Sequence, residues 1–324
     1  MADNYRGPAS NYPSGFNNVT IRGVPITQAN PGQVYWVGDN TASVLPGHIG
    51  ASDSNPGTFA APFNTLDFAI GACTATRGDI IFVKPGHTET LSAASALALD
   101  VSGVAVIGLG VGTARPTFTC DTVNTTPIVV SAANVSISNC IFIANFLTIA
   151  GAITLTTAKG FTLENCEFQD TSAALNFANV IKSTGAANTV DGLYAANNLY
   201  GSIGTTFNTF LLTANDIDKL VLINNRVHSI ATTDVASLAV VTSGALTNGY
   251  CAGNVSKRKN TTSTVALISG GSTTSSTIMV QNFASTLDAA TNVNWTVTTG
   301  IVGWGNSLTG AIAGQGFPIP ALDS

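Results

Sequence analysis

The fold class this sequence predicts is an all-β parallel solenoid, a chain winding repeatedly around one axis, and three observations predict it. Composition is the first. Of 324 residues, 45% are hydrophobic and only 9% are charged, against roughly 25% charged in average globular proteins. Much of the remainder is Thr, Ser, Asn and Gly, residues that suit strands and turns. The second is a phrase written twice, VSISNCIF at Val135–Phe142 and FTLENCEF at Phe161–Phe168. Each alternates apolar with polar residues up to an Asn-Cys pair. The third is recurrence: with Cys140 as reference, the phrase returns at Cys166, Asn198, Asn225, Asn254 and Asn282, 26 to 32 residues apart. That is the period of a stacked repeat.

In chain order, residues 1–35 come first, rich in Pro, Gly and Asn. Such a segment cannot bury a core of its own and is expected as an extended N-terminal arm. Then comes SDSNPGTFAAPFNTLDFAIGACTATRGDIIFVKPGHTETL at Ser52–Leu91. Its Asn-Pro-Gly-Thr loop, Pro-Phe-x-Thr-Leu motif and Gly-Asp-x-Ile-x-Val-x-Pro-Gly strand and turn resemble the opening of pectate-lyase-like right-handed parallel β-helix proteins. The resemblance implies a short amphipathic helix near residues 63–75, with Phe63, Leu66, Phe68, Ala69, Ile70 and Cys73 on its apolar face, capping the open N-terminal end. Upstream, VTIRGVPITQANPGQVYWVGD at Val19–Asp39 resembles the leader of β-helix proteins encoded among phage structural genes.

The coils occupy residues 36–290. GVAVIGLGV forms an early copy, with Leu109 at the reference position and Gly108 before it. In the later copies the residue before the reference is Asn139, Asn165, Asn197, Asn224, Gly253 and Gln281. Asn and Gly accept a left-handed backbone most readily, so these positions are expected as sharp turns between two strands. Alternation then points Val135, Ile137, Cys140 and Phe142 inward, with Phe161, Leu163, Cys166 and Phe168 over them. Cys140, Cys166, Asn198, Asn225, Asn254 and Asn282 are expected as one inward row, its amides bonded along the stack. A Cys140–Cys166 disulfide would distort neighbouring strands and is not expected. Residues 291–324 leave the repeat and are expected as a C-terminal cap or assembly segment.

A net charge of −5 without clustered Lys or Arg argues against a nucleic-acid partner. SKRKN at Ser256–Asn260 is read as a solvated turn. No uninterrupted apolar run approaches the ~18 residues of a membrane span, and the N-terminus shows no secretory pattern. Five scattered cysteines read as reduced, buried thiols, and no cofactor or metal spacing is found. GLGVG at Gly108–Gly112 lacks phosphate-loop spacing and reads as a coil corner.

No catalytic residues are assigned. His48 and His87 sit in turns, and His228 stands alone. The best carboxylates are Glu164 with Glu167 and Asp170, and Asp216 with Asp218. Glu164 is expected to face solvent near Lys159, and the Asp216–Asp218 stretch reads as a corner. Tyr194 and Tyr200 could stack a sugar but are expected to serve packing.

The expectation is a non-enzymatic phage virion protein, made in the host cytoplasm: a capsid decoration or cement protein, or a head fibre or spike. Its partners would be the major capsid protein or other virion proteins, with homotrimerisation implied by the family. The alternative is a tailspike-type protein that binds or depolymerises a host glycan.

Overall fold

A computed structural model describes residues 19–21, 24–26, 32–39, 49–121, 126–204, 209–230, 237–242, 244–258, 265–270, 276–285, 293–296 and 301–309. It is an all-β, right-handed parallel β-helix. Three parallel sheets run along its axis. The first contains ten strands from Val34–Val37 through Ser136–Ser138 and Thr162–Glu164 to Ile301–Trp304. The second contains nine, from Thr88–Leu91 through Ile141–Ala144 to Ser307–Thr309. The third contains eight, from Leu97–Leu99 through Ile153–Leu155 to Val293–Thr296. Each turn of the chain visits the three sheets in that order, so strand hydrogen bonds join successive turns.

The repeated phrase explains one corner. In Ser136–Ile137–Ser138 only the isoleucine is buried, and Leu163 repeats this one turn later. The chain then bends through a single left-handed residue: Asn139 at φ 59°, Asn165 at 54°, Asn197 at 55°, Asn224 at 53°, Gly253 at 64°, Gln281 at 50° and Gly305 at 60°. A bend this tight reverses side-chain direction without breaking the stack. The corner N–H groups of Asn165, Asn197 and Asn224 still donate to Ala196, Ile223 and Ala252 on the next turn.

Inside, the second sheet stacks like over like. Phe118, Phe142 and Phe168 lie in one register column, their ring centroids 5.6 and 5.1 Å apart. Tyr200 continues it, then Val227, Ser256 and Ala284 with smaller side chains, and Leu308 follows them in register.

The helix spans Leu66–Gly71 and buries Leu66, Ala69 and Ile70. Its start is held from outside: Thr65 accepts from the Phe68 N–H, Asp53 from those of Asn64 and Thr65, and Glu89 from that of Leu66. Asp67 accepts the Ala98 N–H at 2.8 Å, on the edge strand of the third sheet. An otherwise open edge donor is thereby satisfied. Nearby, the fully buried Asp79 takes a two-pronged contact from Arg77 and N–H bonds from Gln33 and Thr74. Burial pushes its pKa up, but these donors outweigh burial and leave it below the ordinary carboxylate value.

Several expectations are corrected. The coil does not end near residue 290: Val293–Thr296, Ile301–Trp304 and Ser307–Thr309 extend all three sheets. Gly305–Asn306 writes the same corner without the usual phrase. Leu109 does not hold the reference position in the early copy. Thr117 pairs with Ile141, so Pro116 stands level with Cys140, and a 3₁₀ turn at Gly112–Ala114 enlarges that corner. Gly108 is not left-handed; its missing side chain is needed because a Cβ would lie 2.4 Å from the Asn139 carbonyl oxygen. Finally, Ser256–Arg258 is not a turn but belongs to the strand Val255–Arg258, while 259–260 lie outside the described residues. Of the segment assigned to the arm, Val19–Ile21 and Val24–Ile26 pair antiparallel, Val34 already joins the first sheet, and residues 1–18 lie outside the described residues.

Candidate functional site

Polar chemistry inside the solenoid gathers in one corner column. Its rungs are His87, Pro116, Cys140, Cys166, Asn198, Asn225, Asn254, Asn282 and Asn306, placed by the strand registers that follow each of them. From Asn198 onward the amides form a continuous chain. The Nδ2 of Asn198 donates to Asn225 at 2.9 Å, Asn225 to Asn254 at 3.0 Å, Asn254 to Asn282 at 2.9 Å and Asn282 to Asn306 at 2.8 Å. Each of these Nδ2 groups also donates to a backbone carbonyl of the preceding turn, those of Leu163, Ala195, Leu222 and Cys251 respectively. Backbone N–H groups from Cys166 to Asn282 donate to the next asparagine's Oδ1. The Cys140 and Cys166 rungs carry buried thiols, and burial pushes Cys166 up to about 12. Asn306 escapes sequence reading because no alternating phrase precedes it.

The titratable candidates are dispersed. Glu167 is ion-paired with Arg115 and also accepts from Gln169. Nothing in the local sequence marks Arg115, since its partner lies 52 residues away. Glu164 does not pair with Lys159, which stands 3.4 Å from Asp191. Asp216 accepts the Ala245 N–H, while Asp218 accepts from Thr247 and Asn248 and pairs with Lys219. Those donors hold Asp218 down at about 2.

Asp170 is the most heavily engaged. It accepts from the backbone N–H groups of Phe177, Ile203 and Gly204 and from the hydroxyls of Tyr200 and Ser202. Burial pushes its pKa up, and the donors offset this only in part. Its work is to tether two loops at the exit of the second sheet. Tyr200 is therefore a core residue with its hydroxyl spent on Asp170 and the Phe177 carbonyl; it has no face for a sugar.

His87 is not in a turn open to water. It is buried with Nε2 3.2 Å from Glu89, which also accepts the Leu66 N–H at the start of the helix. His228 projects from the exposed face of the second sheet, and His48 lies outside the described residues. Among the described residues no three His, Cys, Asp or Glu side chains are grouped to hold a metal ion, and no helix is long and apolar enough to cross a membrane.

The outer face of the first sheet is unusual. Its two outward columns run Val34, Ile80, Ala105, Ser136, Thr162, Tyr194, Val221, Tyr250, Ile278 and Trp36, Phe82, Ile107, Ser138, Glu164, Ala196, Ile223, Ala252, Val280, Trp304. At the N-terminal end this apolar surface is covered by the chain's own loop: Phe59 packs edge-on to Trp36 at 4.8 Å, and Lys84 lies over Phe59. At the C-terminal end it is bare, with Tyr250, Ile278 and Trp304 exposed by 39%, 46% and 71%.

The fold defines the class, a right-handed parallel β-helix. Among solved structures the chain is similar to a rhamnogalacturonan lyase, at 11% identity and a TM-score of 0.39, with 84% of each chain covered. It is similar to pectate lyase Pel9A at 13% identity and a TM-score of 0.39, covering 84% of this chain and 79% of that one. The A-module of the Azotobacter vinelandii mannuronan C-5 epimerase AlgE4 gives 13% identity and a TM-score of 0.34, over 86% and 100%. These are likenesses of fold. No protein-family model matches the chain, and no curated protein matches it.

Proposed function

We propose that this protein is a non-enzymatic building block of a phage particle, a capsid decoration or cement protein or a head fibre or spike, made in the host cytoplasm. It associates as a homotrimer and contacts the major capsid protein or another virion protein through its N-terminal arm. The observation that carries this reading is the exposed apolar patch at the C-terminal end of the first sheet, formed by Tyr250, Ile278 and Trp304 on successive turns. Contiguous exposed apolar surface of this kind marks an interaction site. Three copies set side by side about an axis parallel to their own would bring the three patches together. The engaged carboxylates support the same reading, since Glu167, Asp170, Asp216 and Asp218 are spent on holding turns together.

Light scattering on the purified protein tests the association. The wild type is expected as a trimer, and Ile278→Asp combined with Trp304→Ser as a monomer with an unchanged far-ultraviolet spectrum. A monomeric wild type would overturn the trimer. Deleting residues 1–30 is expected to leave a folded solenoid that no longer joins particles, and retained incorporation would remove the arm's anchoring role. The alternative reading, a tailspike-type glycan-binding or depolymerising protein, replaces this one if host capsule or lipopolysaccharide is cut on incubation.

A further inference from the structure

The outer side of the asparagine corner carries a gap. Successive corners present Asn165, Asn197 and Asn224, then Gly253, then Gln281. At Gly253 a Cβ would lie 2.3 Å from Oδ1 of Asn224, so the Asn224 amide leans into space that only glycine leaves. A groove of about 580 Å³ opens there. It is lined by the corner residues Asn197, Asn224 and Gly253 and by Leu199, Arg226 and Val255 of the second sheet.

The second sheet extends this groove with basic groups. Leu199, Arg226 and Val255 share one outward column, and Gly201, His228 and Lys257 share the next. Adjacent rungs are ~4.8 Å apart and alternate residues ~6.7 Å, so the three basic groups fall within about 10 Å of one another. A Cβ at Gly201 would meet nothing within 4 Å, leaving the approach to His228 open. Arg77, Arg115, Lys159 and Lys219 each face a carboxylate. Arg226, His228 and Lys257 are exposed and face none among the described residues. Arg226 and Lys257 are diagonal neighbours on adjacent strands; like charges placed so destabilise a sheet, and among the described residues no carboxylate pairs with either to offset it. An unfavourable local arrangement without structural return marks a functional surface.

We propose that this groove is an oxyanion site. Arg226 offers its fork of N–H donors to a phosphate, sulfate or carboxylate group. Lys257 adds positive potential from the open side. The amides of Asn197 and Asn224 meet the neutral polar part of the ligand, and Leu199 and Val255 cover its apolar edge.

Isothermal titration of the full chain with inorganic phosphate, sulfate and acetate, and in parallel with glucose 6-phosphate and glucuronate, tests the site. Saturable binding of at least one probe is expected, weakened tenfold or more by Arg226→Gln and severalfold by Lys257→Gln. Lys182→Gln, on the third sheet, is expected to leave it unchanged. Tighter binding of the ring-borne anions would assign the groove to a sugar-linked group, and equal binding to the free ion. Arg226 is exposed, so its variant is expected to keep the wild-type melting temperature. Absence of saturable binding to every probe, or binding that Arg226→Gln leaves intact, would overturn the proposal.

Discussion

Asn225 is wholly buried, yet its carboxamide leaves none of its four hydrogen-bonding positions empty. Oδ1 accepts from the backbone and side-chain nitrogens of Asn198, and Nδ2 donates to the Ala195 carbonyl and to Asn254. An apolar residue there would strand the Asn198 donors in a dry interior. Buried unsatisfied groups cost about 1–3 kcal/mol each, so Asn225→Ala is expected to lower the unfolding free energy by about 2–6 kcal/mol. Chemical denaturation measures this, and a loss under 0.5 kcal/mol would show that the amide chain holds nothing together. At this scale the sequence is legible wherever one residue type is forced. A left-handed corner selects Asn or Gly, and Asn139, Asn165, Asn197 and Asn224 stand there. Asp170 was legible only as a carboxylate, because its donors come from Phe177 and from residues 30 to 34 positions onward.

The strand column is the next scale. Phe142 sits between Phe118 and Phe168 with almost no exposure. Stacked turns cannot collapse into a void without shortening the whole ladder, so the cavity left by truncation persists. Phe142→Ala is therefore expected at the upper end of the usual range, about 3–5 kcal/mol. Phe283→Ala, on a half-buried outward position, is expected to cost under about 1.5 kcal/mol. Equal losses at the two sites would contradict the inward and outward assignment. Alternation makes strands and their inner faces readable, since one residue in two is apolar when one face is dry. Inserted turns are not readable this way: residues 109–115 shift the count, and Pro116 takes the rung that the spacing awards to Leu109.

For the molecule as a whole, acid is the informative perturbant. Asp79 and Asp218 both have folded pKa values below the ordinary one near 3.8, that of Asp218 at about 2. A carboxyl depressed in this way contributes stability that is present above its unfolded pKa and is lost as pH falls through its folded one. The melting temperature is thus expected to fall between about pH 4 and about pH 2, with a shallower fall in Asp79→Asn. Circular dichroism melts across that range check it, and a melting temperature flat down to pH 2 would count against these ion pairs.

The sequence by itself determined the winding, the approximate rungs and the residue types at the corners, because these follow from period, alternation and backbone conformation, all local properties. Tertiary structure alone decided that the winding continues through Asn306, that Tyr200 is sealed inside, that Arg115 reaches Glu167, and that one sheet end is covered by Phe59 while the other is bare. Each of those depends on which distant residues meet once the turns are stacked. A one-dimensional pattern carries that information only after the register between turns is set.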